Sequence, residues 1–314
     1  MTRNWTAADV PDLSGRTIIV TGANSGIGYE AALGLARKGA HVVLACRNLD
    51  KACDAIEAIQ AAQPAAKCQA MELDLASLAS VRSFAASFRA EHGALHALCN
   101  NAGVMALPYR RTRDDFEMQF GTNHLGHFAL TGLLLERLLE TPGARVVTVS
   151  SNLHWVGKIA FDDLRSARRY GKWAAYAQSK LANLLFAYEL QRRLDARTAP
   201  TTLISVGVHP GYSATNLQFV GARMEGSSWM ETLSNIGNRI IAQDAAGGAL
   251  PTLYGVTSPD ARGGDYIGPG GFLQLWGAPR KVGGSPRARD PELARKLWSV
   301  SEELTGVRYD ALSG

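Results

Sequence analysis

Between residues 17 and 38 the chain passes from an uncharged run into a glycine turn and then into a helical pattern. Thr17-Ile18-Ile19-Val20-Thr21 suits a buried strand, and the helical pattern reaches Lys38, with Gly39 placed to end it. A strand that turns at once into a helix needs glycine at the turn and leaves the first helical N–H groups without partners. Those N–H groups attract an anion, and a backbone bare of side chains lets a pyrophosphate approach. Gly22, Asn24, Ser25, Gly26, Ile27 and Gly28, spaced G-x-x-x-G-x-G, are therefore the candidate phosphate-binding residues.

The alternation continues along the chain. Residues 41–46, 68–73, 95–99, 145–150 and 203–208 read as strands, with helices at 50–62, 77–89, 116–139 and around Tyr176 between them. A helix over 245–254 and a short strand at 265–267 follow, and Asp290-Pro291-Glu292 opens a last helix that Gly306 would close. Strands and helices in strict alternation imply a parallel sheet covered on both faces. The expected fold is α/β: one Rossmann domain over 1–314, a doubly wound and mostly parallel sheet with its core at 15–270. Three segments stand outside the alternation: an insertion at 152–172, a lid at 216–243 and a C-terminal helical extension at 285–314.

The end of the second strand selects the nucleotide. An acid there would hold the ribose 2′-hydroxyl of NAD, but Ala45-Cys46-Arg47-Asn48 offers only a guanidinium. Arg47 suits a 2′-phosphate, so NADP(H) is preferred over NAD(H).

A second cluster lies far down the chain. Tyr176 and Lys180 stand four residues apart in a helix marked by Leu181, Leu184, Leu185 and Tyr188, which places them on one face. A phenol titrates near pH 10, and a neighbouring ammonium favours its ionised form, which would bring it towards use as an acid or base.

Residues 21–28, Asn100-Asn101-Ala102-Gly103, Ser151, the Tyr176/Lys180 pair and Pro210-Gly211 occur in the order seen in the short-chain dehydrogenase/reductase family, which this chain resembles over residues 15–270. Arg47, Ser150-Ser151-Asn152-Leu153-His154 and Gln178-Ser179-Lys180-Leu181-Ala182-Asn183 resemble its retinol-dehydrogenase-like branch, itself similar to protochlorophyllide reductases. The resemblance implies a carbonyl–alcohol oxidoreductase in which Tyr176 is the general acid/base and Ser151 binds substrate, with Ser150 as the alternative. Lys180 then holds the nicotinamide ribose and tunes Tyr176, and Asn123 links a water to Lys180. It further implies that Asp74 and Leu75 meet the adenine, that Asn101, Ala102 and Gly103 lie against the adenosine ribose, and that Pro210, Gly211 and Thr215 hold the carboxamide. The 25 residues from Ser151 to Tyr176 exceed the family's usual interval, a feature shared with retinol-dehydrogenase-like members.

His154, Trp155, Phe161, Trp173, Phe219, Met224, Trp229 and Met230 offer soft apolar surface beside this site, which suits a lipophilic aldehyde or ketone, with ordinary packing the alternative for each and a structural or cofactor-edge histidine the alternative for His154. A C=C reductase, a nucleotide sensor without turnover and a protein held at membranes by residues 280–289 are the alternatives.

Composition narrows the rest. A net charge of +5 scattered over 314 residues is no nucleic-acid footprint. No apolar run suits a signal peptide or a transmembrane segment, and Cys46, Cys53, Cys68 and Cys99 lack the spacing of disulfides or metal ligands. A cytoplasmic protein without a metal is the expectation. The apolar faces of the 116–139 and Tyr176 helices have two open fates: a homodimer or homotetramer bundle, as in many relatives, or cover by the chain's own extension.

Overall fold

A computed structural model describes residues 4–211 and 244–312. Thr17–Thr21 (β1), His41–Cys46 (β2), Lys67–Glu72 (β3), Ala97–Asn100 (β4), Arg145–Val149 (β5), Ile204–Val208 (β6) and Tyr266–Pro269 (β7) pair in parallel. Pro279–Lys281 (β8) closes the edge antiparallel to β7, and the order is 3-2-1-4-5-6-7-8. The direction of winding reverses between β1 and β4, which opens a crevice at the carboxyl ends of these strands.

Helices cover both faces. Gly26–Ala36 (α1), Leu49–Ala62 (α2) and Leu78–Glu91 (α3) follow the first three strands, and Met118–Phe120 (α4) leads through a wide turn into Gly126–Glu140 (α5). Lys172–Asp195 (α6), Ala245–Thr257 (α7), Pro286–Arg289 (α8) and Pro291–Thr305 (α9) complete the described set. Successive strand residues point to opposite faces, so Ile18, Val20, Val42 and Leu44 join the core with Leu35, Ile59 and Leu253. Ile19, Val43 and Val146 join the other, with Phe84, Phe128 and Leu190. The sheet is thus buried on both sides, as its continuous apolar strands require.

Two departures from the sequence reading matter. The expected helix at 116–139 starts at Met118, capped by the buried Glu117, and is interrupted by a π turn over Gly121–Leu125. The basic stretch 280–289 forms β8 and α8, with Lys281 paired to Asp265 at 2.8 Å.

The extension covers the apolar faces of α5 and α6. Trp298 of α9 is 2% exposed, stacks on Phe186 at 5.7 Å, and meets Phe128 at 5.2 Å and Tyr309 at 4.5 Å. Arg193 lies over its ring at 4.3 Å. Truncating so large a buried ring leaves a cavity, so Trp298→Ala is expected to cost about 3–5 kcal/mol. Its indole N–H has no hydrogen-bond partner among the described residues, so Trp298→Phe should cost less. Urea midpoints of the two variants check this ranking.

Candidate active site

The sequence-predicted residues within the described range collect at the carboxyl edge of the sheet. Gly22 leaves β1 with φ of +66°, and a Cβ there would come within 2.9 Å of Ala102 Cβ. A Cβ on Gly28 would fall 2.4 Å from the Gly22 carbonyl and 2.5 Å from Asn101 Nδ2, so only glycine lets α1 seat on the turn. Ser25 caps α1 without a side-chain hydrogen bond, which leaves the first-turn N–H groups open to an anion beside Asn24, Gly26 and Ile27. The turn therefore fits a pyrophosphate.

Arg47 follows β2, exposed, one residue before Asn48 caps α2. Gly22 N–H donates to the Ala45 carbonyl at 2.9 Å, which holds the end of β2 beside the glycine turn. Asp74 follows β3; one of its oxygens accepts Ala76 N–H at 3.0 Å, and Leu75 is buried behind it. These bonds are those of a turn-forming carboxylate, and the other oxygen stands 4.0 Å from Arg113 Nε.

Asn101 and Ala102 are bound to β1 through a residue that sequence reasoning left unassigned. The Thr21 hydroxyl accepts both of their backbone N–H groups at 2.9 Å, and Asn101 Nδ2 donates to the Thr21 carbonyl at 2.8 Å. With both lone pairs of Oγ1 taken, its proton is shared between His127 Nε2 at 2.9 Å and the Cys99 carbonyl at 3.2 Å. His127 Nδ1 then donates to the Asn123 carbonyl at 3.0 Å. Burial pushes this imidazole down to about 4, which keeps it neutral. A histidine in an apolar helix, one turn after Asn123, was the sequence signal for this link.

Asn123 lies in the π turn, a backbone irregularity often found at functional sites. Its Oδ1 accepts Val104 N–H at 2.8 Å, and its Nδ2 donates to the Val104 carbonyl and to Ser179 Oγ, both at 2.9 Å. Its side chain is thereby committed to the loop after Gly103, which lies between Asn123 and Lys180.

Tyr176, Lys180 and Ser151 come together beneath this loop. Ser150 donates to the Lys180 carbonyl at 2.7 Å and is buried, whereas Ser151 starts a 3-10 turn over Asn152–Trp155 and neighbours the Tyr176 phenol. Lys180 Nζ donates to the Val149 carbonyl at 3.1 Å and lies 5.7 Å from the Tyr176 ring centroid. Burial drives the two groups in opposite directions. Tyr176 rises to about 12, opposed by hydrogen bonding with Ser151, and Lys180 falls from 10.5 to about 8. The expected lowering of the phenol by the ammonium is thus outweighed, because desolvation penalises phenolate and ammonium alike. At neutral pH the phenol is protonated and poised to donate.

Pro210 and Gly211 follow β6, with Gly211 at φ of +71° and its N–H donating to His209 Nδ1 at 3.2 Å. Thr215 and the 216–243 lid, with Phe219, Met224, Trp229 and Met230, lie outside the described residues. Of the other apolar candidates, Trp155 and Trp173 are about half exposed, at 51% and 52%. Phe161 packs on the core under Lys296, and His154 is fully buried, so neither lines an open surface. Sequence reasoning missed Phe272, Leu273 and Trp276, exposed in the loop between β7 and β8. Asn152 Nδ2 reaches the Leu273 carbonyl at 3.5 Å, which sets this apolar loop beside the Ser151 turn.

Among the described residues no helix is long and apolar enough to cross a membrane, and no group of His, Cys, Asp and Glu is placed to hold a metal.

Comparison with known proteins places the fold in a family. The short chain dehydrogenase family model matches residues 16–223. Human retinol dehydrogenase 12 is 41% identical over 298 residues, spanning 95% of this chain and 89% of its own. A crystal structure of an uncharacterised Mycobacterium paratuberculosis protein, 44% identical, covers 98% of this chain and 99% of its own at a TM-score of 0.80. A Beutenbergia cavernae structure with bound NADP, described as an NAD(P)-dependent gluconate 5-dehydrogenase, is 25% identical, covers 81% of this chain and 95% of its own, and has a TM-score of 0.63. Sheet, glycine turn and family match converge: the chain belongs to the short-chain dehydrogenase family, in its retinol-dehydrogenase-like branch, and is an NAD(P)-dependent oxidoreductase acting on CH–OH groups.

Proposed function

We propose that this protein uses NADP(H) to interconvert a lipophilic aldehyde or ketone and its alcohol, with Tyr176 as the general acid/base. The observation that carries the reading is the meeting of a protonated Tyr176, Ser151 and a buried Lys180 at the carboxyl edge of the sheet. When bound, the dinucleotide supplies the hydride. In reduction, negative charge builds on the carbonyl oxygen; Ser151 donates a hydrogen bond to it and Tyr176 gives it a proton. Lys180 holds the nicotinamide ribose, and Asn123 fixes the Gly103 loop against it.

Gly22, Asn24, Ser25, Gly26, Ile27 and Gly28 hold the pyrophosphate at the start of α1. Asp74 and Leu75 border the adenine, Asn101, Ala102 and Gly103 border its ribose, and Pro210 and Gly211 border the carboxamide. The chain is a single domain that functions in the cytoplasm and binds no nucleic acid. The helix α9 occupies the faces of α5 and α6 that a dimer bundle would need.

Arg47 supports NADP(H), since its exposed guanidinium ends β2 where NAD-binding chains place an acid. Arg47→Glu is expected to reduce kcat/KM for NADPH by about 10- to 100-fold and leave NADH less affected, as for loss of a charge-assisted contact worth about 1.5–3 kcal/mol. The lipophilic substrate is supported by exposed Trp155, Trp173, Phe272, Leu273 and Trp276, and by the relative's activity on retinol, an apolar alcohol. A panel of long-chain, ring-containing and short polar carbonyls, followed at the nicotinamide absorbance with NADPH and NADH side by side, tests the whole reading. Turnover confined to short sugars would contradict it.

A further inference from the structure

The Ser151 peptide lies beyond the end of β5, where the last sheet bond is Ser150 N–H to the Val208 carbonyl at 2.7 Å. The Ser151 hydroxyl accepts the Leu153 N–H, at 3.2 Å, from the turn's own backbone, and among the described residues no strand partner fixes the orientation of the peptide. His154 does so twice, by its backbone N–H to the Ser151 carbonyl at 3.0 Å and by its ring Nδ1 to the same oxygen at 2.7 Å. The other ring nitrogen, Nε2, meets the backbone N–H of Ser285 at 3.0 Å. An N–H only donates and a carbonyl only accepts, so the two contacts require one tautomer: neutral, with its proton on Nδ1.

The surroundings hold the ring in this state. It is fully buried, edge-on to Tyr266 at 5.4 Å and against Trp155 at 5.5 Å. Burial lowers its pKa, against the hydrogen bond to Ser151, and His209 and the Tyr266 hydroxyl are its titratable neighbours. Ser285 is itself fixed as the cap of α8, and Arg287 donates to the Gly157 carbonyl at 2.9 Å. The C-terminal extension therefore holds the Ser151 turn at His154 and just past its end, at Gly157.

We propose that His154 is a positioning residue that sets the Ser151 hydroxyl against Tyr176, and that the extension, through Ser285, selects the tautomer it needs. This rests on the reading of Ser151 as the substrate-binding serine. It makes turnover depend on a contact 131 residues away in sequence, outside the nucleotide-binding core.

Asparagine and glutamine separate the two ring nitrogens. The side-chain amide N–H introduced by His154→Asn occupies the Nδ1 position and keeps the donor to Ser151, while His154→Gln places its amide oxygen near Nε2 and keeps the acceptor for Ser285. His154→Gln is expected to lower kcat by about 10- to 100-fold, the scale of a small misplacement at a reacting centre, with NADPH affinity unchanged. His154→Asn should recover most of that turnover while melting at a lower temperature than His154→Gln. In a Ser151→Ala background the glutamine variant should cost little more. Equal turnover in the two variants, or an undiminished loss in that background, would overturn the proposal. A Ser151→Ala variant with normal turnover would instead remove the reading on which it rests. In the unaltered protein, ¹⁵N–¹H correlation of the imidazoles should show the His154 ring neutral and protonated at Nδ1, as the His127 ring is; Nε2 protonation of His154 would overturn the tautomer assignment without any variant.

Discussion

Tyr176→Phe is expected to lose about a hundred- to ten-thousand-fold in turnover while binding NADPH as the unaltered protein does. The substitution removes one hydroxyl from a ring that is 8% exposed, so packing is kept and only the proton donor is lost. Ser151 remains to donate a hydrogen bond, and the residual rate measures what that contact contributes alone. Because burial raises Tyr176 to about 12, reduction should not fall through loss of its proton as the pH rises from 6 to 9. Stopped-flow NADPH oxidation, with cofactor affinity read by fluorescence, separates the two effects.

Lys180→Met is expected to abolish most turnover and to make the protein more stable. The ammonium is 4% exposed and burial lowers its pKa from 10.5 to about 8, so at neutral pH the folded state carries a charge it disfavours. A shift of this size corresponds to something on the order of 3 kcal/mol. The sign follows from proton counts: between about pH 8 and 10.5 the unfolded chain holds a proton that the folded chain has released, so stability rises with pH across that window. Below it both states are protonated and the full cost remains. Methionine escapes this cost, and the Val149 carbonyl keeps Asn183 Nδ2 at 3.0 Å as a partner. Urea midpoints at pH 7 and pH 10 should therefore differ more for the unaltered protein than for the variant.

Legibility in the sequence followed the range of the interaction. The strand–glycine–helix start and the Tyr176–Lys180 spacing are local, and both stand where periodicity put them. The π turn was invisible because the apolar pattern of the helix runs straight through it, and the Val104 backbone that Asn123 binds from within it is 19 residues away. The phenol's environment was misjudged for a similar reason. Spacing showed a nearby ammonium but not the burial that outweighs it. His154 looked like a residue of the substrate surface until the extension was seen to close over it. The β7–β8 loop was passed over because turn residues surround Phe272, Leu273 and Trp276, and only their exposure beside Asn152 gives them a part in the site.

The central claim, direct hydride delivery to a carbonyl carbon, is tested by running the reaction with NADPH deuterated at C4, once on each face, and a lipophilic aldehyde. The account predicts one deuterium on the carbinol carbon from one of the two labelled faces and none from the other. Deuterium found instead on a carbon of a reduced C=C bond, or no transfer from either face, would contradict it.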